Sequence, residues 1–160
     1  VIPALALSLH STRAELRAEL LPKAPHIDPA ELVDLAERYA RTTGYPIQYQ
    51  WTLIDGVNDS KDEMDGIVRL LSGKYAIMNL IPYNTTAALS YRRPSHEHIT
   101  TLTKYLHASG IRTTVRNSAG QDVDGGCGQL RARLSDTLTS AATIRRHPKI
   151  ASIIQRGDPA

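Results

Sequence analysis

Cys127 has the most distinctive chemical surroundings in this sequence. It is the only cysteine among 160 residues, and Gly125, Gly126 and Gly128 flank it. A thiolate is a nucleophile and a metal ligand, and glycines leave the backbone free to bring the sulfur close to a ligand. One cysteine excludes an internal disulfide and cannot by itself build a zinc or iron–sulfur site, so we expect this chain to supply no metal site. The alternatives are a dispensable surface cysteine or a buried, inert one, but the apolar neighbours typical of a buried cysteine are missing here.

Polar side chains also stand where predicted strands end. Ligands of parallel α/β sheets bind at the carboxyl ends of the strands, because loops and helix N-termini meet there. The candidates at these positions are Ser8 and His10, Asp55 and Asn58, and Asn84. Each has a structural alternative: the first two could satisfy backbone groups, the next two are turn formers, and the last could cap a helix.

Positive charge is concentrated in the second half of the chain. Residues 71–160 contain 12 Lys and Arg against 5 Asp and Glu, whereas residues 1–70 contain 7 against 11. This asymmetry favours a polyanionic partner such as RNA, although a solvated basic face without a partner is about as common. The candidate RNA contacts are Arg92, Arg93, Arg112 and Arg116.

Strand and helix patterns alternate along the chain. Apolar or β-branched runs predict strands within 4–10, 47–54, 75–84 and 111–116. Helical patterns follow caps at Ser11 or Thr12, Asp28 and Ser95, and a further helical periodicity runs from Ser60 to Leu71. This alternation predicts an α/β fold with parallel strands and right-handed crossover helices. We divide the chain into a folded portion, 1–130, and a basic C-terminal tail, 131–160, with marginal helices.

No segment of the sequence has the pattern of a membrane span or a secretion signal. The longest apolar runs fall well short of the roughly 20 residues that a spanning helix needs, and no basic segment precedes an apolar one at the start. We therefore expect no membrane partner. The single cysteine, which excludes an internal disulfide, favours a reducing, cytoplasmic location.

Five stretches of the sequence together resemble one known family. In chain order they are "LALSLH", "IDGVND", "NLIPYN", "GIRTTVR" and "DVDGGCGQL". They resemble the C-terminal half of the radical-SAM 23S rRNA adenine-C2 methyltransferases, the RlmN/Cfr type, and the resemblance covers residues 1 to about 130. It implies the C-terminal part of a radical-SAM partial (β/α)6 barrel with an extra C-terminal strand.

The resemblance also implies roles for individual residues. Ser8, Leu9 and His10 match the family's "SLH" element, and Asn84 matches the asparagine of its "LIP-aromatic-N" motif; both elements bind S-adenosylmethionine. Cys127 matches the cysteine that carries the methyl group before its transfer to C2 of adenine. The implied cofactors are S-adenosyl-L-methionine and a [4Fe-4S] cluster, and the implied partners are rRNA, with tRNA as a further candidate, and an electron donor such as a flavodoxin system.

This sequence departs from the family pattern at several positions. The cluster motif C-x3-C-x2-C and a second cysteine that completes the reaction are absent, so we expect the chain to be part of a longer enzyme and inactive alone. Gly125 and Gly126 replace the usual alanines, and Gln50 replaces a carboxylate. One alternative is a truncated or degenerate relative that binds RNA or S-adenosylmethionine without catalysis. Another is a general α/β metabolic enzyme with Cys127 as an ordinary nucleophile.

Overall fold

The structure, a computed structural model, describes residues 1–117. Cys127 and the proposed boundary between residues 130 and 131 lie outside the described residues. The elements are β1 (Ala6–Ser8), α1 (Ala14–Leu20), α2 (Pro29–Thr43), β2 (Ile47–Leu53), α3 (Lys61–Leu71), β3 (Ala76–Pro82), α4 (His96–Ala108) and β4 (Thr113–Val115).

The four strands form one parallel sheet in chain order. β2 pairs with β1 on one side and with β3 on the other, and β4 pairs with β3. Ser8, Gln50, Asn79 and Thr114 lie side by side across the sheet. The predicted α/β class with parallel strands and crossover helices is therefore confirmed.

The three longer helices pack on one face of the sheet. Alternate residues of β2, such as Tyr49 and Trp51, are buried and join one apolar cluster with residues of α2, α3 and α4. The residues between them, Gln48, Gln50 and Thr52, stay half-buried on the other face. This face therefore carries the polar side chains of β2.

Two of the three predicted helix caps, Asp28 and Ser95, are confirmed, and Ser60 is a further cap that the sequence did not predict. The side chains of Asp28, Ser60 and Ser95 each accept a backbone N–H in the first turn of α2, α3 and α4, respectively. Pro29 occupies the first turn of α2, and Gly44 ends that helix with φ 76°.

The predicted cap of α1 is wrong. The helix begins at Ala14 after Arg13, which makes no capping bond through its side chain. The Ser11 and Thr12 hydroxyls, which we expected to cap it, instead donate to the carboxylate of Glu63 on α3. Ser11 Oγ also accepts the Arg13 backbone N–H at 3.0 Å, but this bond lies before the first turn of α1 and does not cap it. The bonds to Glu63 are charge-assisted, which is the stronger kind of hydrogen bond.

Candidate functional site

The segment that follows β1 is tightly held. The Ser8 backbone carbonyl accepts a hydrogen bond from Arg17 Nη2 at 3.1 Å, while Ser8 itself is exposed. Leu9 is fully buried in the core, and its N–H and C=O pair with Gln50 and Ser11. Ser8 is thus open to a ligand, whereas the Leu9 side chain serves packing.

The backbone of His10 is held in a conformation that residues other than glycine rarely adopt. Its φ is 58°, in the left-handed region, whose cost for a residue other than glycine is about 1–2 kcal/mol. Its Nδ1 accepts a hydrogen bond from the Thr52 backbone N–H at 2.9 Å, and its carbonyl accepts one from Asn58 Nδ2 at 2.8 Å. These two bonds fix both the ring and the backbone of His10.

The same surroundings keep the His10 imidazole neutral. Burial, together with the positive charge of Arg17, lowers the pKa of His10 from 6.5 to about 4. Because Nδ1 is an acceptor, the proton of the neutral ring must be on Nε2. His10 can therefore offer a neutral hydrogen-bond donor at the carboxyl edge of the sheet.

Residues 11–13 are anchored to α3 by Glu63, which is 1% exposed. Its carboxylate accepts bonds from Ser11 Oγ at 2.5 Å, from the Thr12 N–H at 2.8 Å and from Thr12 Oγ1 at 2.6 Å, and it pairs with Arg13 Nε at 3.3 Å. Sequence reasoning missed Glu63. Its partners lie about 50 positions away in the sequence, so no local pattern could identify them.

The loop between β2 and α3 is structural at Asn58. This side chain is fully buried, accepts from the Ile54 N–H and donates to the carbonyls of His10 and Thr52, each at 2.8 Å. All of its hydrogen-bonding groups are engaged, so the turn-forming alternative describes it correctly. Asp55 forms an ion pair with Arg92 at 3.0 Å.

Asn84 follows β3 at the same carboxyl edge and is half-buried. The preceding residue, Tyr83, donates its backbone N–H to Leu53 and packs edge-on against Tyr91, with 5.8 Å between ring centroids. The parallel strands thus place Ser8, His10 and Asn84 along one edge of the sheet. Their assignment to ligand binding stays a prediction.

The four candidate RNA contacts do not form one cluster. Arg93 donates to Asn117 Oδ1 at 3.0 Å, and the exposed Arg116 follows β4, so both belong to the carboxyl edge with Arg92. Arg112 precedes β4 and lies at the opposite edge. A partner bound along the carboxyl edge would meet the first three and not Arg112.

Residues 1–117 contain neither a grouped set of metal ligands nor a helix that could span a membrane. Within residues 1–117 no three His, Cys, Asp or Glu side chains are grouped to hold a metal ion. A [4Fe-4S] cluster needs several thiolates, and one cysteine in the whole sequence does not fit that requirement. None of the described helices has the length and apolarity to cross a membrane.

The chain is similar in sequence to probable RNA methyltransferases. No protein-family model matches it. The chain is 87% identical over 146 residues to a probable RNA methyltransferase of Dechloromonas aromatica, covering 90% of this chain and 41% of that protein. It is 68% identical over 148 residues to a probable RNA methyltransferase of Pseudomonas aeruginosa, covering 92% of this chain and 42% of that protein. The chain thus spans less than half the length of these relatives.

Solved structures with a similar fold include a methyltransferase as well. A radical SAM methyltransferase from Sphaerobacter thermophilus superposes with a TM-score of 0.74 at 41% identity, covering 79% of this chain and 37% of that one. This chain is related to the radical-SAM methyltransferases. A domain of the pyruvate-formate lyase-activating enzyme from Bacteroides vulgatus shares the fold, with a TM-score of 0.58 at 19% identity. The predicted resemblance and fold class are therefore confirmed.

Proposed function

We propose that this chain is the portion of a radical-SAM RNA methyltransferase that binds S-adenosylmethionine and carries the methyl-accepting cysteine. The observation that supports this most is the carboxyl edge of the sheet. There the exposed Ser8 and the neutral His10 lie at the end of β1, and Asn84 follows β3, in a chain related to radical-SAM methyltransferases. A neutral imidazole suits this ligand because a second cation would repel its sulfonium charge.

The polar groups at the carboxyl edge are of the types that can bind S-adenosylmethionine. Ser8 and Asn84 offer neutral donors and acceptors, His10 offers an N–H, and the Leu9 backbone holds the strand end in place. S-adenosylmethionine would supply an electrophilic methyl group. The thiolate of Cys127 would attack that methyl carbon, forming a carbon–sulfur bond while the sulfonium bond breaks and S-adenosylhomocysteine leaves.

The later transfer to C2 of adenine in rRNA or tRNA belongs to the same proposal. It requires a reduced [4Fe-4S] cluster and an electron donor such as flavodoxin. Since one cysteine cannot hold the cluster, it would be bound by cysteines outside this chain, and we assign no radical step to residues described here. Arg92, Arg93 and Arg116 would contact RNA phosphates along the carboxyl edge.

Mass spectrometry tests the proposal. The chain would be produced together with the cluster-binding part of its protein, reconstituted and incubated with methyl-labelled S-adenosylmethionine. One added labelled methyl group on the peptide containing Cys127 is expected, and none in Cys127→Ala. An unmodified thiol, with the cluster present and S-adenosylmethionine bound, would refute the methyl-carrier role. Binding of S-adenosylmethionine without methylation of Cys127 would favour the alternative in which the protein binds this ligand without catalysis.

A further inference from the structure

The segment after His10 rests on α3 through an unusually close contact at Gly66. A Cβ built on Gly66 would lie 2.3 Å from Thr12 Oγ1 and 2.8 Å from Thr12 Cβ. Real side chains do not approach so closely, so Thr12 can occupy this place only because residue 66 has no side chain. Glycine inside a helix costs roughly 1 kcal/mol relative to alanine, and this contact gives a reason to keep it.

Glu63 lies on the same face of α3, one turn before Gly66. It accepts from both the backbone N–H and the hydroxyl of Thr12, and from the Ser11 hydroxyl. Three short bonds to a carboxylate that is 1% exposed are charge-assisted and shielded from water, which makes them strong. Glu63 and Gly66 together therefore set the position of Ser11 and Thr12 relative to α3.

The residue just before this anchored pair is the strained one. His10 has φ 58°, and strained residues persist only where their surroundings over-determine them. Thr52 and Asn58 hold His10 from the side of β2. Glu63 and Gly66 hold the two residues that follow it from the side of α3, so the turn is fixed at both ends.

We propose that Glu63 and Gly66 are positioning residues that fix the turn of Ser8 to Thr12 in its ligand-binding conformation. They act through Ser11 and Thr12 and contact no ligand themselves. The inference rests on the proposed function for its ligand, S-adenosylmethionine, but the conformation of the turn can be measured without that ligand. An unanchored turn would let His10 leave the left-handed region and release its ring from the Thr52 N–H.

The test uses Glu63→Gln and Gly66→Ala, with two controls. Asp65→Asn changes a half-buried acid of the same helix that pairs with Lys61 and accepts from the Tyr105 hydroxyl, away from the turn. Leu106→Ala removes packing from the buried core on α4 and lowers stability without touching the turn. The first readout is the His10 pKa by NMR titration of the imidazole. The second is the affinity for S-adenosylmethionine, measured on the protein with its cluster-binding part and well below every melting temperature.

We expect the pKa of His10 to rise from about 4 toward 6.5 in both positioning variants and to stay unchanged in both controls. Affinity for S-adenosylmethionine should fall roughly tenfold or more in the positioning variants only. If Gly66→Ala does not fold, Glu63→Gln carries the test, because it preserves the side-chain shape.

Other outcomes separate the two proposals. An unchanged His10 pKa in Glu63→Gln would overturn the positioning role. So would a loss of S-adenosylmethionine affinity in Leu106→Ala as large as in Glu63→Gln when the two variants are equally stable. If the His10 pKa changes in the positioning variants but the protein without substitutions does not bind S-adenosylmethionine, the positioning of the turn stands and the proposed function is refuted.

Discussion

The buried amide of Asn58 provides a stringent test of how the carboxyl edge is held together. Replacing it with alanine removes three hydrogen bonds of 2.8 Å from a side chain that is fully buried. It leaves the Ile54 N–H and the carbonyls of His10 and Thr52 without their partner. A lost bond contributes about 1 kcal/mol net, and an unsatisfied buried group costs about 1–3 kcal/mol.

We therefore expect Asn58→Ala to lower the free energy of unfolding by about 3–5 kcal/mol. That is a large share of the roughly 5–15 kcal/mol that stabilises a typical domain. Asn58→Asp should be at least as damaging. Its second carboxylate oxygen would face two carbonyl oxygens, and its charge would be buried without a cation.

Urea unfolding followed by circular dichroism measures the change. Asp55→Ala is the matched control, because Asp55 lies in the same loop but pairs with the exposed Arg92, and such surface pairs contribute at most about 1 kcal/mol. A loss below 1 kcal/mol for Asn58→Ala, with an unchanged dependence on urea, would refute the reasoning. It would mean that the loop keeps its shape without these bonds.

Two further predictions concern His10 and Arg17. Because the pKa of His10 is about 4 in the folded chain and 6.5 in the unfolded one, the unfolded chain binds more protons between these values. Stability is then highest above pH 6.5 and falls as the pH drops toward 4. The loss attributable to His10 is about 2 kcal/mol between pH 7 and pH 5. Urea unfolding at both pH values checks this, and His10→Asn, which tolerates the positive φ, should remove that part of the pH dependence; an identical pH profile would contradict it. Arg17 is 8% exposed, its Nε has no acceptor, and no carboxylate of residues 1–117 forms an ion pair with it. Arg17→Met should therefore match the original chain in thermal stability or exceed it, since an apolar side chain can replace a buried unpaired charge. A destabilisation above about 2 kcal/mol would show that the bond to the Ser8 carbonyl outweighs the cost of burying the charge.

Local signals predicted the three longer helices well. Asp28 followed by Pro29, Ser60, and Ser95 each precede a helix whose first turn they cap. A cap involves residues two or three positions apart, so the sequence contains both partners within one short window. The predicted cap of α1 was wrong because the partners of its residues are distant in the sequence. Ser11 and Thr12 had a stronger partner about 50 residues away, and no short window includes it.

The positions of the candidate site residues in the fold could be predicted from the sequence more readily than the role of each residue. The parallel-strand rule placed Ser8, His10, Asn58 and Asn84 at the carboxyl edge, and the structure agrees. The rule does not separate a side chain offered to a ligand from one used within the fold. Asn58 satisfies three backbone groups whereas Ser8 stays exposed, and that difference depends on distances between loops.

Glu63 shows the limit of sequence reasoning most clearly. Its spacing from Ser60 is that of a capping box, in which the glutamate side chain would return to the N-cap backbone. The Ser60 hydroxyl does accept from the Glu63 N–H at 3.3 Å, but the carboxylate of Glu63 turns to Ser11 and Thr12. The spacing to Gly66 contains the missing information, because a glycine one turn later on the same helix face indicates that another segment packs closely there, as the Thr12 side chain does. The pair therefore predicts a helix face that both approaches and hydrogen-bonds a loop, and only the three-dimensional structure identifies that loop as the turn after β1.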